Sequence, residues 1–400
     1  MKTAVITAEY NPFHKGHRWQ LEQVRAAGAS HVAVVMSPNF TQRGTPAIFP
    51  KRLRAQAALQ NGADLVLELP LPWAVSSAEG FARGGVEVLT ATGLVDVLAF
   101  GSECGDGPAL LRAAQALENP EFSLLLKAEL AQGDSFAAAR QRAVSSLLAP
   151  ADAALLSSPN NTLGIEYCRA LLQTGSNAEV FTIPRTGAGH DAAVSDAGSY
   201  SASAIRTLLA EGHREEALSR MIPAMQAAYQ TEEAAGRAPV FASNCERAIL
   251  ARLRSMSAAD FDTLDTGHEG AGQRLYNASR EAPSLSAILD RAKTRRYAYA
   301  RLRRMVLWAY LGLPPADVPA HVPYLRVLAA NETGRALLGR MRKTAAVPVV
   351  TKPAAVRRLS PEAQALFRLE AKGADLYALA YPELAAAVGG ALWRQTPAML

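Results

Sequence analysis

The sequence predicts an α/β protein: a Rossmann-like parallel-sheet domain over residues 1–212, then a mainly helical, basic domain over residues 213–400. Three observations carry this. Apolar runs and helical patterns alternate through the first half, which implies right-handed crossovers and a parallel sheet covered on both faces. Beyond about residue 213 the strand signal fades and helical patterns dominate. Charge is also unevenly split, with 16 Lys/Arg against 19 Asp/Glu in residues 1–212 and 26 against 17 in residues 213–400. A near-neutral front and a basic back put the contact with any polyanion in the second part.

The expected strands are Ala4–Ile6, His31–Met36, Leu65–Leu69, Val95–Phe100, Ala153–Leu156 and Glu179–Ile183. Each is a short apolar run rather than an alternating one, as strands buried on both faces require. Helical patterns fill the gaps at His17–Ala27, where Leu21 and Val24 share a face, and at Lys51–Gln60, Ala78–Thr90 and Leu163–Leu172. The back half reads as helices at Glu215–Gln230, Asn244–Ser255, Ser284–Leu313, Gly334–Arg342 and Ala363–Leu369. Pro223, Pro239, Pro314–Pro315, Pro348 and Pro353 interrupt or separate these patterns. His14, Asn39, Gly101, Asn160 and Arg185 all follow expected strands, so they are candidates to converge at the strand C-termini, where such sheets bind ligands.

The composition, 49% hydrophobic and 20% charged, is that of an ordinary globular protein. The longest apolar stretch, Leu65 to Val75, is broken by Glu68, Pro70 and Pro72, which excludes a membrane span there. Met1-Lys2 leads straight into the first strand, so no signal peptide is expected. Cys104, Cys168 and Cys245 are widely spaced and odd in number, which fits a reducing cytoplasm and predicts three buried thiols.

The first strand–helix turn carries neither a dinucleotide fingerprint nor a Gly-Lys-Ser/Thr phosphate loop. It carries His14-Lys15-Gly16-His17 instead. Nucleotidyl transfer builds negative charge on the α-phosphate and the leaving pyrophosphate. Two imidazole donors beside the positive end of a helix suit that charge, and Gly16 lets the backbone come close to a phosphate. The plain alternative is a capping or buried histidine pair. No third ligand of the usual type lies nearby, so the pair is not read as a zinc site. A second element, Ser199-Tyr200-Ser201-Ala202-Ser203-Ala204-Ile205-Arg206, opens a further helix. Its serines either simply cap that helix or, with Ser203 and Arg206, hold a leaving pyrophosphate.

These motifs, with the runs Glu9–His17, Val35–Ala47, Asp64–Pro70, Phe100–Glu103, Ser158–Gly164, Arg185–Asp191, Lys293–Tyr297, Ala300–Leu302 and Tyr324–Leu328, resemble the bacterial tRNA(Met) cytidine acetate ligase family. The resemblance covers nearly the whole chain in order. It implies activation of acetate with ATP to acetyl-adenylate, with Mg²⁺ accompanying the nucleotide, and transfer of the acetyl group to N4 of the wobble cytidine of elongator tRNA(Met). It also implies that ATP lies along Thr7, Ala8, Glu9, Tyr10, Asn11, Pro12, Phe13, His14, Lys15, Gly16, His17, Arg18, Trp19 and Gln20, and touches Gly101, the Asn160–Asn161 pair and Arg185. Those two asparagines either read the nucleotide or merely start a helix. Two departures stand out: Pro38 occupies a position that is usually glycine in the family, and Lys15 replaces a small amide residue. Pro38 lacks an N–H, whereas Lys15 adds a cation beside the phosphates.

From Arg291 to Arg304 there are seven cations and no acid, with Tyr297 and Tyr299 between them. Cations track phosphates and aromatic rings stack on unpaired bases, so Lys293, Arg295, Arg296, Tyr297 and Arg301 are the expected RNA contacts. A second acid-free run spans Thr333 to Pro361. The alternative for both runs is a solvated helix face. Two other functions remain open to the sequence: a small-molecule adenylyltransferase sharing the histidine motif, and a non-catalytic RNA-binding relative.

Overall fold

The computed structural model describes residues 2–132, 136–185, 201–267 and 269–400. Five parallel strands form the front of one sheet: β1 (Thr3–Ala8), β2 (His31–Met36), β3 (Leu65–Glu68), β4 (Val97–Ser102) and β5 (Glu179–Pro184). Three more follow late in the chain: β6 (Leu325–Ala330), β7 (Val349–Val350) and β8 (Ala398–Met399). The order is β5-β4-β1-β2-β3-β6-β7, with β8 also on β6. From β1 the chain winds outward through β2 and β3, then returns to build β4 and β5 on the other side. The order therefore reverses between β1 and β4, which fixes the ligand crevice at their C-terminal ends.

The strand residues follow from two-sided burial. Every residue of β2 is buried, and Val32, Val34, Val35 and Met36 are fully so. Helices Ala78–Ala91 and Pro159–Thr174 pack closely with one another under one face, joined by Pro361–Ala378 in the same apolar cluster. Residues of Lys15–Ala26, Lys51–Gln60, Ala202–Ala210 and Pro223–Ala234 share the second cluster. A third cluster fills the helices Glu246–Ser255, Ala271–Glu281, Leu285–Ala292 and Tyr299–Leu311, and includes Phe40, Leu71 and Val75 from the sheet's loops.

Several expectations are corrected. Ala153–Leu156 is no strand but the helical turns Pro150–Ala153 and Ala154–Ser157. Alanine and leucine favour helix and Pro150 presets a first helical turn, whereas a four-residue apolar run has no readable period. Glu215–Gln230 divides at Pro223, which opens its own helix. Ser284–Leu313 divides into Leu285–Ala292 and Tyr299–Leu311. Between them the Thr294 hydroxyl accepts the N–H groups of Arg296 (3.1 Å) and Tyr297 (3.3 Å), a local turn that competes with helix. The back half is mainly helical yet returns to the sheet. β6 pairs antiparallel with β3, matching Leu65 to Ala330 and Leu67 to Val327. Its single apolar run, lying among helices, offered no period to distinguish it. Cys168 and Cys245 are buried as expected, but Cys104 is partly exposed; all three thiols are free. Among the described residues no helix is long and apolar enough to cross a membrane.

Candidate active site

The crevice at the ends of β1 and β4 is an open cleft of about 1070 Å³, solvent at its mouth included. Its floor begins where β1 ends. Glu9 is followed by Tyr10, whose φ of 50° puts a bulky residue in the left-handed region. The turn is held from beneath by Arg54, fully buried on the helix Lys51–Gln60. Arg54 donates to the carbonyls of Phe49 (3.0 Å), Ser37 (3.3 Å), Glu9 and Pro38. The proline at position 38 thus lacks an N–H but supplies the carbonyl that the buried guanidinium uses.

His14 is the N-cap of the helix Lys15–Ala26, and its Nδ1 accepts the N–H of Gly16 at 3.0 Å. His17 answers with its own Nδ1, accepting the N–H of His14 at 3.2 Å. The rings lie 3.8 Å apart, and Tyr10 meets His17 edge-on at 4.8 Å. Because both Nδ1 atoms accept, both rings carry their proton on Nε2, so each presents an N–H donor. Burial, with Arg185 and Arg206 nearby, pushes His14 down to about 3; burial and the adjacent His14 hold His17 well below the usual histidine range. The capping and functional readings of the pair are therefore compatible: Nδ1 caps, Nε2 remains for a ligand. Both rings are neutral donors, and positive charge comes from elsewhere.

That charge comes from arginines. Arg185 leaves β5 with its N–H on the Ser102 carbonyl at 2.9 Å. Arg206, on the helix Ala202–Ala210, donates to the Asn11 carbonyl at 2.6 Å. Burial lowers both below the usual arginine value. Ser201 caps that helix by accepting the Ala204 N–H at 3.2 Å. Ser201, Ala202 and Ser203 then line the cleft beside Arg206. A Cβ at Gly101 would sit 3.2 Å from the Cγ of Arg185, so the glycine gives this arginine its place.

Of the expected nucleotide contacts, Thr7, Ala8, Glu9, Tyr10, Asn11, His14, His17, Gln20, Gly101, Asn160, Arg185, Ser203 and Arg206 line the cleft. Pro12 and Phe13 are buried beneath it, and Phe13 packs on Tyr10 at 4.8 Å. The N–H of Gly16 is spent on His14 rather than offered to a phosphate. Lys15 and Trp19 face outward, and exposed Arg18 pairs with Glu22 at 2.8 Å; these three do not line the cleft. Asn161, unlike Asn160, does not line the cleft. Its Oδ1 accepts the N–H groups of Glu103 (3.0 Å) and Cys104 (3.1 Å), fastening the loop after β4. Asn39 binds the Lys51 N–H at 2.9 Å and lies outside the cleft. The cleft also takes Gln42, Arg43, Phe81, Phe100, Leu163 and Tyr167, which the motifs do not mark as nucleotide contacts. Gln42 and Arg43 fall within the run Val35–Ala47, Phe100 within Phe100–Glu103 and Leu163 within Ser158–Gly164; Phe81 and Tyr167 carry no chemical signal that sets them apart from core residues. The stretch from Thr186 to Tyr200 lies outside the described residues.

A model of the family described as HIGH Nucleotidyl Transferase matches residues 1–389. The tRNA(Met) cytidine acetate ligase of Syntrophotalea carbinolica is 40% identical over 362 residues, covering 88% of this chain and 85% of that protein. The one from Acetivibrio thermocellus is 35% identical over 396 residues, covering 95% of each. This chain belongs to the tRNA(Met) cytidine acetate ligase family. The crystal structure of apo TmcAL from Thermotoga maritima is similar over 100% of both chains, with a TM-score of 0.95 at 32% identity. The same ligase bound with alpha-thio ATP gives 0.93, also at 32%.

In this ligase-family chain the five expected RNA contacts do not form one face. Tyr297 is 5% exposed and its hydroxyl donates to the Glu269 carbonyl, so it cannot stack on a base. Arg301 is neutralised by Asp265 (2.8 Å) and Glu269 (2.7 Å). Lys293 is partly exposed, and Arg295 and Arg296 are exposed. Beside them the exposed ring of Tyr299 lies 5.7 Å from the charged groups of both Lys293 and Arg303.

The neutral histidines also predict a pH dependence of folding. A depressed folded-state value means that the unfolded chain binds the extra proton, so stability is intact above the ordinary histidine value of about 6.5 and declines as pH falls below it. From pH 7.5 to 5.5 each ring is expected to cost about 1.3 kcal/mol, roughly 2–3 kcal/mol for the two. Urea unfolding at the two pH values measures this, and a His17→Asn protein should lose about half of the difference.

Proposed function

We propose that this protein activates acetate with ATP to form acetyl-adenylate and pyrophosphate, then transfers the acetyl group to N4 of the wobble cytidine of elongator tRNA(Met), giving N4-acetylcytidine. The observation that carries this reading is the pairing of two Nε2–H donors with Arg185 and Arg206 in one cleft, on a chain of the ligase family. Acetate is already an anion, so its oxygen attacks the α-phosphorus without a base. The new O–P bond forms as the bond to pyrophosphate breaks. His14 and His17 donate to the α-phosphate oxygens as charge grows there. Ser203, Arg206 and the end of their helix receive the pyrophosphate, a bidentate cation beside backbone donors. The described lining offers the single carboxylate of Glu9, so the Mg²⁺ that accompanies ATP would be held chiefly by the phosphates.

In this reading the ATP-handling part is residues 1–212 and the tRNA-gripping part lies in residues 213–400, working in the cytoplasm. Lys293, Arg295 and Arg296, with Arg303 and the Tyr299 ring, form the RNA face. Replacing Lys293, Arg295 and Arg296 together by alanine is expected to weaken tRNA binding and to flatten its salt dependence by about 0.7–0.9 in log–log slope for each phosphate no longer neutralised. Filter binding across salt concentrations measures this. An unchanged slope would remove the RNA face from these residues. The reaction itself is tested by incubating the protein with ATP, Mg²⁺, acetate and an elongator tRNA(Met) transcript, then cutting the RNA with a ribonuclease and weighing the fragment that carries the anticodon. N4-acetylcytidine at the wobble position supports the proposal; unmodified tRNA contradicts it.

A further inference from the structure

Acetyl transfer to cytidine needs a proton acceptor, because the exocyclic amine is a weak nucleophile that must shed a proton as its bond to carbon forms. The histidines do not fit that task. Their Nδ1 lone pairs are occupied by the N–H groups of Gly16 and His14, and their Nε2 atoms already carry hydrogen. Tyr10 and Tyr167 are phenols whose ionisation burial opposes. The arginines, asparagines and glutamines have no basic lone pair at neutral pH. Among the described residues lining the cleft, one carboxylate is left, that of Glu9.

Glu9 is also held in place more firmly than a chance acid at a cleft mouth. Its carbonyl is gripped by the buried Arg54. Its Oε1 accepts the N–H of Gln42 at 2.7 Å, and among the described residues no hydrogen bond takes its Oε2. The next residue takes the left-handed backbone at Tyr10, a local strain of the kind concentrated at functional sites. The loop that holds Oε1 touches the basic half of the molecule. Arg304 donates to the Gln42 carbonyl at 3.4 Å, and a Cβ at Gly44 would lie 2.6 Å from the backbone of Arg303 and Arg304. Glu9 therefore stands where the nucleotide cleft meets the helix that carries Arg303 and Tyr299, on the side from which an RNA base would enter.

We propose that Glu9 is the general base of acetyl transfer, taking the N4 proton of the acceptor cytidine on Oε2. This rests on the two-step reading above. The N4 lone pair attacks the acetyl carbonyl carbon while the N–H bond gives its proton to Glu9. The tetrahedral intermediate collapses by breaking the C–O bond to the adenylate, and AMP leaves as the phosphate anion with that electron pair. The protonated Glu9 then releases its proton to water. The first step has no use for the base, so loss of Glu9 is expected to depress transfer well beyond any effect that its place among the nucleotide contacts has on exchange.

The test is Glu9→Gln, whose amide oxygen can still accept the Gln42 N–H. Acetate-dependent ATP–pyrophosphate exchange and single-turnover transfer to saturating tRNA(Met) are measured on the same preparation. The ratio of transfer to exchange is expected to fall by about 10²- to 10⁴-fold, the range of a lost general base. A ratio within about threefold of wild type would overturn the proposal and assign the proton to another acceptor, such as the departing AMP. If the amide variant does not fold, Glu9→Asp, which withdraws the carboxylate by one methylene, must lower the ratio by about 10- to 100-fold. A wild-type protein without acetate-dependent exchange would defeat the two-step reading itself, an outcome distinct from a normal wild type with an unaffected variant ratio.

Discussion

Replacing His17 by alanine is expected to lower acetate-dependent ATP–pyrophosphate exchange by about 10²–10³-fold, the usual cost of removing one preorganised donor from a developing oxyanion. The effect should appear chiefly in kcat. Burial and the adjacent His14 oppose a charge on the ring, so its Nε2–H is expected to act chiefly as charge moves onto the α-phosphate oxygens. The change also removes the acceptor for the His14 N–H, at a cost near 1 kcal/mol, about that of a lost cap. Tm and exchange must therefore be measured together. Exchange at the wild-type rate by a folded His17→Ala protein would show that the imidazole is only a cap.

Glu68→Gln should produce the largest loss of stability, about 3–5 kcal/mol, because it leaves buried cations without their partner. Glu68 ends β3 at 1% exposure and holds the Lys51 ammonium, itself 3% exposed, with Arg326 of β6 at 3.4 Å on its other oxygen. Nearby, Glu370 accepts the Tyr324 hydroxyl at 2.6 Å. Burial, with Glu68 alongside, raises Glu370, while burial lowers Lys51. Two cations and two carboxyls thus share one dry site between β3, β6 and the helix Pro361–Ala378. Removing one charge leaves Lys51 and Arg326 with Glu370, whose ionisation burial opposes, as the remaining carboxyl of the cluster. The urea midpoint at constant slope measures the loss; a change below about 1 kcal/mol would mean that water reaches the cluster.

The nucleotide end of the molecule was legible in the sequence because its chemistry is local. A strand, two histidines three apart and a helix determine both caps and both Nε2 donors with no help from distant residues. What escaped was chemistry supplied across the fold. Lys15 reads as a phosphate-side cation, but helical geometry turns it outward one residue after the cap. Asn160 and Asn161 are equivalent in sequence; only the Glu103–Cys104 loop distinguishes them, drawing Asn161 inward at 3.0 and 3.1 Å. The seven-cation run likewise reads as one helix face, whereas the Thr294 turn breaks it and Asp265 and Glu269 neutralise Arg301. β6 was hidden for the same reason: its partner strand β3 lies at the other end of the sequence.

Adenylate formation at the histidine cleft is tested most simply by ATP–pyrophosphate exchange with acetate present or withheld. Exchange is expected to require acetate, to proceed without tRNA, and to be lost with His17. Exchange that ignores acetate, or that appears only with a different acceptor, would contradict acetate activation by this protein.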